Sequence, residues 1–86
     1  MQVFFSGRVQ GVGFRARCRE VSHGFQVVGT VRNESDGRVQ MIAEGTLAEL
    51  VAFRDAIIAS MRPLVKDHQT TFNEPEGKFE DFRIVA

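Results

Sequence analysis

The spacing of apolar residues changes repeatedly along the chain, and each change marks an element. Gln2 to Gly7 is a short apolar run closed by glycine, which predicts a first strand. Gly7-Arg-Val-Gln-Gly-Val-Gly13 has three glycines in seven residues and no helical period, so it predicts a loop. From Phe14 the apolar positions Phe14, Cys18, Val21 and Phe25 form one stripe of a helix, with Gly24 as its stop. Gln26 to Arg32, rich in Val and Thr, predicts a second strand. Asn33-Glu-Ser-Asp-Gly37 has the Asp-Gly pair of a hairpin turn. In Arg38 to Glu44, Val39, Met41 and Ala43 alternate with mostly polar residues, which predicts the returning strand.

Thr46-x-x-Glu49 before a second apolar stripe has the form of a capping box. In that motif Thr46 accepts from the amide of Glu49, and the Glu49 side chain reaches back to the amide of Thr46. The stripe is Leu47, Leu50, Val51, Ile57, Ile58 and Met61, and Pro63 ends the helix. Val65 to Phe72, more polar and carrying Thr70 and Thr71, predicts an edge strand. Asn73 to Gly77 is a loop, and Phe79, Phe82, Ile84 and Val85 supply a last strand segment. The order is βαββαβ with a terminal strand. Two helices with one apolar face each can cover one face of an antiparallel sheet, so the predicted fold is α+β, a ferredoxin-like two-layer sandwich forming one domain over 1–86. Many functions share this fold, so function must be argued from a site.

Composition narrows the classes. Net charge is zero and the pI is 6.7, which argues against a broad polyanion surface and hence against a nucleic-acid partner. No RNA-binding aromatic strand motif is present either. One cysteine excludes an internal disulfide, and the two histidines have no Cys or His at ligand spacing, so no metal and no cofactor are expected. No apolar run is long enough for a membrane span and no signal pattern opens the chain, which makes the cytoplasm the expected compartment. The charge is nonetheless asymmetric. Residues 1–38 hold six arginines against three carboxylates, and the remainder is acidic. A basic half in a neutral protein fits a small anion site, or simply solvated helix faces.

The loop before Phe14 is the informative stretch. Glycines let a ligand approach backbone amides closely, and the first amides of the following helix lack intrahelical partners. With the positive end of the helix dipole and the planar guanidinium of Arg15, they could hold a phosphate. The spacing matches neither a Walker-type loop nor a dinucleotide fingerprint. The alternative is a tight turn that only reverses the chain. Asn33, at the end of the second strand, reads by itself as a turn residue.

Gly7-Arg-Val-Gln-Gly-Val-Gly-Phe-Arg15, with Gly29-Thr-Val-Arg-Asn33, Asp36-Gly37-x-Val39, Glu44-Gly45 and Phe79-x-x-Phe82-x-Ile84, closely resembles the acylphosphatase family over nearly the whole chain. The resemblance implies the same ferredoxin-like fold. It implies hydrolysis of the carboxyl-phosphate bond of a small acyl phosphate to a carboxylate and inorganic phosphate, with no metal. It implies that Arg15 holds the phosphate, that the loop Gln10, Gly11, Val12, Gly13 and Phe14 surrounds it, and that Asn33 positions the attacking water. Thr30 departs from the family, where an aromatic residue is common, and residues 62–69 follow its pattern only loosely.

The implied chemistry suits the residues. The leaving carboxylate is stable at neutral pH, so no general acid is required, and none is obvious. Other candidates have plainer readings: His23 near a helix end, His68 on a polar strand, Cys18 in a core stripe, and Met41 and Met61 as packing residues. Arg17 and Arg19 read as solvated, with Arg19 a candidate for anion steering. The competing class is a non-catalytic module that binds a phosphate ligand or a protein. The presence of both Arg15 and Asn33 favours the enzyme over that module, and a chain ending at Ala86 favours a stand-alone enzyme, expected to be a monomer, over the similar domain at the front of larger carbamoyl-transfer proteins.

Overall fold

A computed structural model describes residues 1–86. Its elements are β1 (Gln2–Gly7), α1 (Phe14–Ser22), β2 (Val28–Asn33), β3 (Val39–Glu44), α2 (Leu47–Ser60), β4 (Val65–Thr71) and β5 (Phe82–Ile84). They form a five-stranded sheet in the order β4-β1-β3-β2-β5, with β4 on an edge as its polar sequence predicts. The β1–β3, β1–β4 and β2–β3 pairs are antiparallel. The last pair differs from the expected all-antiparallel sheet. Strand β5 runs parallel to β2, with Gly29 opposite Phe82 and Val31 opposite Ile84. The long polar return through residues 72–81 lets the chain re-enter the sheet in the same direction, as parallel pairing requires.

Period-two alternation sets which side of the sheet is buried. Val3 and Phe5 of β1, Val31 of β2 and Val39, Met41 and Ala43 of β3 are fully buried. Phe14 and Cys18 of α1 and Leu50, Phe53 and Ile57 of α2 cover them. Ring contacts join the layers: Phe5 meets Phe14 edge-on at 5.1 Å, and Phe53 meets Phe82 at 5.3 Å.

Helix α2 departs from the expected stripe in two ways. Leu47 is 64% exposed, and Phe53 takes the central core position instead. The capping box is half made. The Thr46 hydroxyl accepts from the Glu49 amide at 3.2 Å, but Glu49 Oε1 accepts from the Gln26 amide at 2.8 Å and so ties the helix start to the segment entering β2. The helix ends before Pro63, as expected.

Candidate active site

The loop is fixed at both ends by burial and by hydrogen bonds. At its start the Arg8 amide donates to the Leu64 carbonyl at 2.9 Å, and Val9 is buried. At its end Phe14 is buried against Phe5. Between them, the Gln10 side-chain amide donates to two carbonyls of the β2–β3 turn, Glu34 at 2.8 Å and Arg38 at 2.9 Å. The loop is thereby tied to the turn that begins immediately after Asn33.

Gly11 and Gly13 both have positive φ, 75° and 78°. Gly13 is the N-cap of α1 and offers no side-chain cap, and the first turn carries no acidic residue. The amides of residues 9–16 donate to no protein acceptor. Eight consecutive N–H groups, the last three at a helix N-terminus, are therefore free to meet an anion. Arg15 lies in that first turn, half-buried, and enters no ion pair. A depression of about 160 Å³ opens here, lined by Val9, Gly11, Gly13, Phe14, Arg15, Ala16 and Ile84.

Asn33 does not line that depression; sheet register defines its position. Phe5 is opposite Val39 and Val39 is opposite Asn33, so the three form one row across β1, β3 and β2. Residues in a row share a face, so Asn33 lies on the helix side of the sheet, in the row on which Phe14 packs. Its Oδ1 is buried and accepts no hydrogen bond from the protein. A buried acceptor left open costs about 1–3 kcal/mol, and functional roles are one recognised reason for one to exist. Arg15, Gly11, Gly13 and Phe14 thus meet in one depression. Gln10 contributes a tether, Val12 is 36% exposed, and Asn33 stands beside the loop at the end of β2.

The tether is the feature that sequence reasoning missed. Gln10 was expected only through its backbone amide, and a side-chain bond to residues 24 and 28 positions away leaves no local signal. The remaining candidates take plain roles. Burial pushes the Cys18 thiol up to about 12, well away from a reactive thiolate. His68 Nδ1 lies 3.3 Å from Thr70 Oγ1, which also receives Arg54. No group of histidine, cysteine and carboxylate side chains is clustered for a metal. No helix is long and apolar enough to cross a membrane.

The fold and site define a ferredoxin-like sandwich that ends its first strand in a glycine-rich loop feeding an arginine-bearing helix start. Comparison with known proteins narrows this class. The acylphosphatase family model matches residues 1–84. The acylphosphatase of Cupriavidus pinatubonensis is 42% identical over 78 residues, 91% of this chain and 86% of its own. That of Chloroflexus aurantiacus is 42% identical over 86 residues, 96% and 91% of the two chains. The crystal structure of acylphosphatase from Bacillus subtilis superposes with a TM-score of 0.88 at 33% identity, covering 99% of this chain and 96% of that one. The chain belongs to the acylphosphatase family, hydrolases acting on acid anhydrides.

Proposed function

We propose that this chain hydrolyses the carboxyl-phosphate bond of small acyl phosphates without a metal, using Arg15, the loop amides and Asn33. Phosphoryl transfer asks a protein for positioning and charge stabilisation more than for covalent chemistry. Arg15 and the amides of Gln10 to Phe14 hold the non-bridging phosphate oxygens and stabilise the charge on them as the bond breaks. The Asn33 side-chain carbonyl accepts from a water and aims its oxygen at phosphorus, in line with the acyl oxygen. The new P–O bond forms as the P–O bond to the acyl group breaks, and the electron pair leaves on the carboxylate. One water proton passes to a phosphate oxygen, so the acyl phosphate dianion and water become a carboxylate and dihydrogen phosphate. Neither side chain changes protonation, because Asn has no useful basicity and Arg stays charged.

The observation that carries this reading is the run of unbonded amides 9–16, tied through Gln10 to the turn after Asn33, together with the unpartnered, buried Oδ1 of Asn33. The neutral overall charge supports a small substrate over a nucleic acid, and the reading needs only one copy of the chain, working in the cytoplasm. Phosphate release from benzoyl phosphate in excess chelator tests it. Turnover at an undiminished rate is expected. Activity that vanishes with chelator and returns with a divalent ion would contradict the metal-free route, and no release under any condition would favour a binding module.

A further inference from the structure

Arg15 and Arg19 are one helical turn apart on α1, so their side chains leave the same face with Cβ atoms about 5–6 Å apart. Arg17 and Arg19 both read as solvated from sequence, but their surroundings differ. Arg17 donates to Glu20 at 3.4 Å, whereas Arg19 is exposed and enters no ion pair or side-chain hydrogen bond. Two carboxylates lie near it, and each is engaged elsewhere. Asp81 feels the Arg19 charge but is gripped by Arg83 at 2.9 and 3.1 Å, while Glu20 is the partner of Arg17.

The surface between the two arginines is continuous. A second depression, of about 290 Å³, is lined by Ala16, Arg19, Glu20, His23 and Ile84. It shares Ala16 and Ile84 with the depression at Arg15. Ile84 is 38% exposed, a large apolar side chain open to water between two cations, and the parallel pairing of β5 with β2 carries it there. A path therefore leaves the cradle over a methyl group and an isoleucine and reaches a free guanidinium beside an imidazole.

We propose, building on the acyl phosphate reading above, that the acyl group lies along this path and that Arg19 receives a second anionic group at its far end. The favoured substrates are then acyl phosphates that carry a carboxylate or second phosphate on the acyl chain. Arg19 is a specificity-determining residue in this scheme and takes no part in the displacement at phosphorus.

The test compares kcat/KM for 3-carboxybenzoyl phosphate and benzoyl phosphate, which differ only by the distal carboxylate. The full chain should prefer the carboxylated substrate about threefold to tenfold, between the worth of an exposed ion pair and that of a charge-assisted hydrogen bond. Arg19→Gln should bring the ratio to about one through KM, leaving benzoyl phosphate turnover within about twofold, and Arg19→Lys should restore part of the preference. No preference in the unmodified chain, or the same ratio in Arg19→Gln, would overturn the proposal. Calorimetric titration with (3-carboxybenzoyl)phosphonate and benzoylphosphonate reads the same ratio as affinities. If neither acyl phosphate is cleaved, hydrolysis itself fails, and the phosphonate ratio still decides the subsite.

Discussion

The Gln10 side-chain amide ends on the Glu34 carbonyl at 2.8 Å, joining the glycine-rich loop to the residue that follows Asn33. The same nitrogen reaches the Arg38 carbonyl at 2.9 Å, so one side chain spans both sides of the β2–β3 turn. The loop and the strand end are separated by the whole of α1 in sequence. Without this link they would be held in register only through the core beneath them.

Gln10→Met keeps the length of the side chain and removes both donations. Stability should fall by about 1–2 kcal/mol, since two neutral hydrogen bonds are lost while their carbonyls stay near water. Turnover should fall about tenfold, with a smaller change in inorganic phosphate affinity, because the mutual placement of loop and Asn33 counts most in the transition state. Denaturation midpoints and steady-state kinetics on the same preparation check this.

Gly11→Val tests whether the loop is more than a turn. A Cβ at Gly11 would meet no heavy atom within 4 Å, so the substitution acts through its φ of 75° rather than through a clash. Holding a β-branched residue at that φ costs about 1–3 kcal/mol. Phosphate affinity should fall by more than tenfold in samples that remain folded by circular dichroism. Unchanged affinity would leave the loop a plain connection between strand and helix.

Cys18 should be silent in the native protein. Its thiol is raised from 9.0 to about 12 by burial, so the folded state favours the protonated form more strongly than the unfolded state does. The sign follows: this contribution is complete below about pH 9 and is lost as pH climbs from the unfolded value toward the folded one. Alkylation by iodoacetamide at pH 8 should be negligible until urea unfolds the chain, and Cys18→Ala should show a shallower loss of stability between pH 9 and pH 12.

Much of this was legible in the sequence, for identifiable reasons. Val39, Met41 and Ala43 alternate with mostly polar residues, and period two gives their buried face directly. Phe14 and Cys18 stand out in an otherwise charged helix, so the α1 stripe was plain. Helix α2 is apolar almost all round, with Ala48, Val51, Ala52 and Ala56 beside the larger residues, and no single face is marked. The helical period alone therefore places Leu47 inside and does not single out Phe53. Residues 73–81 have no period, so neither the parallel entry of β5 nor the position of Phe79 outside the strand could be read. The loop and Asn33 are legible only as parts of a motif, Gly7 to Arg15 with Gly29 to Asn33. The bond from Gln10 and the open Oδ1 of Asn33 are products of tertiary packing, and only the folded chain reveals them.

The division of labour between Arg15 and Asn33 is the central claim, and calorimetric titration of inorganic phosphate into Arg15→Ala and Asn33→Ala tests it most directly. Arg15→Ala should lose phosphate binding and turnover together, because the guanidinium holds the ground-state anion as well as the transition state. Asn33→Ala should bind phosphate within about threefold of the unmodified chain while benzoyl phosphate hydrolysis falls by at least about a hundredfold, as expected of a group that acts on the attacking water alone. A folded Asn33→Ala protein that no longer binds phosphate, or one that still turns over at full rate, would contradict the account.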